Sequence, residues 1–222
     1  MLIQRTGLRL CLGALVGGLV VGCYPGGIET VSQTDLVATF FAKGVDFTAK
    51  NTYNMPDTII DIGVAAGGSS TLDHKYDAQI RAKIQSELQA MGYTRVTTTK
   101  PDVVVIVSAI KVDNYSAWVP YPWWPYWGWW GGWDAYWPCC SSSAGQTWYY
   151  PWSPVVVSGY TSGTLFINMI DPAAATPDPT QVLSIWAAAI NGMLEGTDAD
   201  ILARINTSID QAFAQSPYLR TQ

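Results

Sequence analysis

Two stretches of this chain carry apolar residues at helical spacing, and the segments around them have the composition of strands. Between Leu72 and Met91, Tyr76, Ile80, Ile84 and Leu88 recur every fourth residue, so they share one stripe of a helix that Gly92 is placed to cap. Thr197 reads as an N-cap, with Asp198 and Asp200 favouring the helix dipole in the first turn. Ile201, Ile205, Ile209 and Phe213 then repeat the stripe until Pro217 forbids continuation.

Val37–Phe47 and Thr52–Met55 read as strands broken at Lys50-Asn51, and Thr94–Thr97 as a short one. Asp102–Val112 (DVVVIVSAIKV) is almost continuously β-branched. That predicts a central strand covered on both faces for much of its length, or one covered by helices on one face and the aromatic loop on the other. Val155–Asp171 and Gln181–Leu194 read as two more strands joined by the Pro-rich turn Pro172–Pro179. The run from Ile185 to Ile190 (IWAAAI) would also suit a helix; a strand is expected. Gly63–Ser70 lacks the Gly-Lys-Ser/Thr ending of a phosphate loop and is read as a connector. Together these predict an α+β two-layer sandwich: a mostly antiparallel sheet of five or six strands, two amphipathic helices on one face, and one long loop.

The loop, residues 115–152, holds every one of the eleven tryptophans except Trp186, and Asp134 is its only Asp, Glu, Lys or Arg. Rings that bury roughly 150–250 Å² each give it on the order of 1,500 Å² or more of potential contact area. An ordinary exposed apolar patch is about 300–600 Å². Trp118, Trp123, Trp124, Trp127, Trp129, Trp130, Trp133 and Trp137 are the candidate binding residues. Three uses are open: contact with a membrane surface, where Trp and Tyr favour the head-group level; a platform for a protein or glycan partner; or a cover for the chain's own sheet.

The first 22 residues carry Arg5 and Arg9, an apolar run Leu10–Val21, and Val20-Val21-Gly22 before Cys23. This describes a secretory signal that resembles the bacterial lipobox, in which Cys23 is diacylated and becomes the N-terminus. A plain signal peptide or an uncleaved anchor is the alternative. Residues 23–34 are then a lipidated tether, 35–216 one α+β domain and 217–222 a tail. Several acyl chains give stable attachment to a bilayer. Tyr24 rather than Asp after the cysteine points to the outer membrane, facing the periplasm or the cell surface. Loss of Arg5 and Arg9 leaves ten basic residues against 17 acidic, a net charge of −7, which argues against nucleic acid.

Catalytic signals are sparse. His74 is the only histidine, so a periplasmic hydrolase would have to use it, and no Gly-x-Ser-x-Gly accompanies it. Cys139 and Cys140 are adjacent: they could form a vicinal disulfide, cross-link to a partner or stay free, and their spacing does not suit zinc. Asp198/Asp200 is explained by capping; Asp57/Asp61 lies in a polar loop with a remote calcium reading. No metal, cofactor or enzymatic activity is expected.

The order of features carries a resemblance. It runs from the lipobox to a Phe-rich strand with Asp46-Phe47 and Thr52-Tyr53, then a helix ending in Gly92-Tyr93, and Lys100-Pro101-Asp102 opening an apolar strand. The aromatic loop, Gly163-Thr164-Leu165-Phe166-Ile167 leading to Asp171, a Trp-containing strand and a terminal helix complete it. Over roughly residues 35–216 the chain resembles the bacterial lipoprotein family known as domain of unknown function 4136. The family's Val-Trp-Arg is here Ile185-Trp186-Ala187, so no role of that arginine carries over. The resemblance implies an envelope location and an α+β fold, and supplies no activity, cofactor or catalytic residue.

Overall fold

The computed structural model describes residues 35–61, 72–112, 116–119, 147–149, 151, 155–158, 162–174, 181–192 and 196–221. In chain order their strands and α-helices are β1 (Leu36–Phe41), β2 (Thr52–Asn54), β3 (Ile60–Asp61), α1 (Asp77–Ala90), β4 (Thr94–Arg95) and β5 (Val103–Val112). There follow β6 (Ser116–Val119), β7 (Thr147–Tyr149), β8 (Val155–Ser158), β9 (Ser162–Asp171), β10 (Gln181–Asn191) and α2 (Asp198–Ala214).

The helices form where their stripes and caps predict. A 3₁₀ turn, His74–Tyr76, opened by the Asp73 side chain accepting from the Lys75 amide, leads into α1. Its end is a Schellman motif: the Gly92 amide donates to the Gln89 carbonyl and Tyr93 to Leu88, each at 3.0 Å, with Gly92 at φ 99°. α2 begins in a capping box in which Thr197 and Asp200 satisfy each other's amides.

The main sheet has the order β1-β10-β9-β5-β2-β4, with β3 also pairing with β5 and β7 with β10. Its long ladders, β5 with β9, β9 with β10 and β10 with β1, are antiparallel. The two- and three-residue pairings of β2, β3, β4 and β7 are parallel. β2 reaches β4 through α1, and such a crossover is what parallel neighbours require. The sheet is therefore more mixed and has more strands than expected, the additions being short edge pieces too brief to leave a periodic pattern.

Several boundaries differ from expectation, among them the start of α1, which the sequence put at Leu72 and which lies at Asp77 after the 3₁₀ turn. The strand expected over Val37–Phe47 stops at Phe41, because Gly44 turns the chain at φ 85° and Asp46 caps a 3₁₀ turn that buries Phe47. The strand expected over Val155–Asp171 is two, since β8 pairs with β6 and β9 with β5. Thr94–Thr97 shortens to β4. The Ile185–Ile190 run is a strand, because β10 is clamped between β1 and β9 along that length. Gly63–Ser70 lies outside the described residues.

Both helices pack on one face. Ile80, Ile84 and Leu88 of α1 and Ile201, Ile205, Ile209 and Phe213 of α2 form one core with Val103, Val105, Val107, Leu165, Ile167, Met169 and Ile190. Trp186 is in the same core, fully buried against Phe213 at 5.3 Å between ring centroids, and its Nε1 donates to Ser216 Oγ at 2.9 Å.

Candidate functional site

The site is the end of the sheet where the segment holding the tryptophans departs and returns. β5 and β9 are antiparallel partners, so the chain from Lys111 to Gly163 is an insertion at the open end of one hairpin. Across that end, Leu36 of β1 is in register with Asn191 of β10, Asn191 with Thr164 of β9, and Thr164 with Ile110 of β5. At about 4.8 Å per strand, Leu36 lies roughly 14 Å from Ile110. The chain arriving from Cys23 and both roots of the insertion therefore share one end of the sheet.

A clamp fixes that end. Arg204 of α2 donates through Nε to Asp35 Oδ2 at 2.8 Å and through Nη2 to Asp35 Oδ1 and to the Gly192 carbonyl. Both side chains are about nine-tenths buried, at 11% exposure each. Gly192 sits at φ 108°, where a side chain would run into Asp35, and its amide donates to the Gly163 carbonyl at 3.2 Å. Thr164 Oγ1 meets Asn191 Oδ1 at 3.2 Å in the same row. The sequence gives no hint of this clamp, because Asp35 and Arg204 are 169 residues apart.

Further along the chain from that end, β6 and β8 pair as a ribbon of their own. Their register continues that of the hairpin without slip: Val112 faces Ser162, and four residues further Ser116 faces Ser158. At the opposite end of the sheet, β7 lies along the start of β10, pairing Trp148 with Val182, on the edge that β1 occupies higher up.

The face of the sheet away from the helices is as dry as the helix side. Three registered rows cross it: Ser108–Phe166–Ala189, Ile106–Asn168–Ala187 and Val104–Ile170–Ser184. Every one of these side chains is at most 9% exposed in the isolated chain. None belongs to the helix-side core. Burying Phe166, Ile106, Ile170 and Val104 at about 1.5–3 kcal/mol each is worth on the order of 6–12 kcal/mol. The alternation of β5 left the cover of this face open; the burial shows that the chain supplies one.

Of the expected site residues, Trp118 lies in β6 opposite Val156. Cys23, Trp123, Trp124, Trp127, Trp129, Trp130, Trp133, Trp137, Cys139 and Cys140 lie outside the described residues. His74 is half-exposed and its Nδ1 lies 2.9 Å from Asp77 Oδ2. The hollow beside this pair, walled by Tyr76, Ile80, Leu165 and Ile205, is about 50 Å³. That is room for a few waters, against the ~300 Å³ or more of an ordinary ligand pocket.

The paired carboxylates are held in the architecture. Asp57 takes the guanidinium groups of Arg81 and Arg95, and Asp61 accepts from the Leu72 amide at 3.2 Å. Asp198 accepts from the Tyr76 hydroxyl at 2.7 Å and Lys75 at 3.0 Å, tying α2 to the start of α1. The Tyr76 hydroxyl and then Lys75 hold the Asp198 carboxyl below its ordinary value. Among the described residues no three His, Cys, Asp or Glu side chains converge, and no helix is long and apolar enough to cross a membrane.

A family model described as domain of unknown function (DUF4136) matches residues 37–218. A crystal structure of a DUF4136 family protein from Bacteroides thetaiotaomicron superposes with a TM-score of 0.61 at 26% identity, covering 85% of this chain and 98% of that one. A PelC dodecamer from Paraburkholderia phytofirmans matches at a TM-score of 0.40 and 12% identity, over 85% of this chain and 99% of that one. A PDZ domain protein from Parabacteroides distasonis matches at 0.33 and 16%, over 79% and 35%. These last two scores are too low to bear on fold or function. Among curated proteins nothing matches the chain.

Proposed function

The chain belongs to the family of domain of unknown function 4136, and from that premise we propose that it is a non-enzymatic, lipid-anchored protein of the bacterial cell envelope whose aromatic segment meets a membrane surface. The anchor is an acylated Cys23, the leaflet that of the outer membrane, and neither cofactor nor nucleic acid takes part. The observation that supports this reading most is the shared end of the sheet, where Leu36 and the roots of the tryptophan segment lie in one row. Residues 23–34 span at most about 40 Å when extended. An anchor at Cys23 thus keeps the segment within tether reach of the bilayer without any basic patch. Trp and Tyr, with apolar bodies and polar tips, suit that depth.

Two readouts on the full-length protein test the reading separately. Labelled palmitate should be incorporated and the label lost in Cys23→Ser; incorporation that survives the substitution would remove the anchor. The acylated protein, reconstituted into phosphatidylethanolamine/phosphatidylglycerol vesicles with brominated acyl chains, should lose a large part of its tryptophan emission. Unquenched emission in anchored protein would sink the membrane contact and leave a protein or glycan partner as the use of the segment.

A further inference from the structure

We propose that the β6–β8 ribbon folds back at the end of the β5–β9 hairpin and lies across the second face of the sheet, giving the protein three layers: helices, sheet and ribbon. The argument is one of reach. Tyr149 of β7 is in register with Leu183, at the far end of β10 from Asn191. If the ribbon continued straight out from Ser162, Val155 would stand about 16 residue steps from the level of Leu183, some 53 Å at 3.3 Å per residue. Only six residue steps join Tyr149 to Val155, and they span at most about 21 Å. A straight ribbon is excluded. The hairpin's continuation has to double back along the sheet.

Which face it takes follows from what is already occupied. α1 and α2 fill the helix side. The opposite face is dry in the isolated chain, with Ile106 and Val104 1% exposed and Ile170 and Ser184 fully buried. The ribbon has the composition for that role: β8 offers Val155, Val156 and Val157, and β6 carries Ala117, Trp118 and Val119. This inference does not depend on lipidation or membrane binding.

The test places a photo-crosslinker, p-benzoyl-phenylalanine, at Phe166 in the middle of the second face and maps adducts by peptide mass spectrometry, without lipid. Adducts in 116–119 or 155–158 are expected; adducts confined to other segments, or between two copies, overturn the proposal. A second measurement follows Ser108→Cys in the full-length chain by its reaction with N-ethylmaleimide. The thiol should be protected at least tenfold relative to unfolded protein, independently of protein concentration. Val156→Pro, which breaks the ribbon ladder opposite Trp118, should remove the protection while far-ultraviolet circular dichroism is kept. A freely reactive thiol, protection that fades on dilution, or protection that outlives a folded Val156→Pro would each refute the ribbon as the cover.

Discussion

Ser216→Ala isolates the one buried hydrogen bond on which the central tryptophan depends. Trp186 and Ser216 are both fully buried, and the indole Nε1 donates to Ser216 Oγ at 2.9 Å. Alanine removes the acceptor and leaves a donor sealed between β10 and the end of α2, which costs about 1–3 kcal/mol. The Tyr218 hydroxyl also reaches Ser216 Oγ, at 3.2 Å, but it is only part-buried and can turn to water, so its loss adds little. Urea unfolding should be followed by far-ultraviolet circular dichroism, because the other tryptophans swamp the Trp186 fluorescence. The midpoint should fall with an unchanged m-value. In a Trp186→Phe background the same substitution should cost almost nothing, since no donor remains to be orphaned. A loss under about 0.5 kcal/mol in the single variant, or equal losses in both backgrounds, would refute the assignment of this bond as a structural pin.

Other consequences can be checked in the same way. Gly92→Ala forces a side chain into φ 99° and against Thr221, and should cost about 1–3 kcal/mol in a urea melt. Tyr93 is 2% exposed and its hydroxyl has no hydrogen-bond partner among the described residues, so Tyr93→Phe should leave stability equal or raise it by up to ~1 kcal/mol. Arg204→Ala strands Asp35 and should destabilise by about 3 kcal/mol, read as a lower thermal midpoint. For Asp102, burial alone would raise the carboxyl, but the hydrogen bonds from the Thr52 hydroxyl and the Thr52 and Asn51 amides outweigh it and hold it below 3.8. Its contribution is then complete above about pH 4 and lost as pH falls through that lowered value. Asp102→Asn should flatten the acid limb of the stability–pH curve; an unchanged limb would show that the carboxylate does not contribute.

Short-range physics made much of the fold legible. The i+4 stripes of α1 and α2, the Gly92 stop and the Thr197 cap are local consequences of helical geometry, and each appears where the residues place it. The β-branched run of β5 announced a strand covered on both sides, and it is buried from Val103 to Ala109. Boundaries failed at Gly44, where the chain turns after β1, and where Val155–Asp171 divides into β8 and β9. Each break is a short polar, Gly-containing stretch, Lys43-Gly44 and Ser158-Gly159-Tyr160-Thr161, that the longer strand reading ran across. Asp57, Asp61 and Asp198, which as sequence could belong to catalytic or calcium sites, are partners of Arg81, Leu72 and Tyr76.

By itself the sequence determined the two helices, the α+β class and the concentration of tryptophan in one segment, because propensity, periodicity and composition act within a few residues. Tertiary structure alone decided the strand order, the clamp between Asp35 and Arg204, and the row that joins the start of β1 to the roots of the tryptophan segment. These depend on which strand pairs with which across as many as 169 residues of chain. Hydrogen bonding between strands is made by backbone groups common to every residue, so the pairing is selected by the packing of the whole sheet against its helices and its second cover, and not by any local pattern.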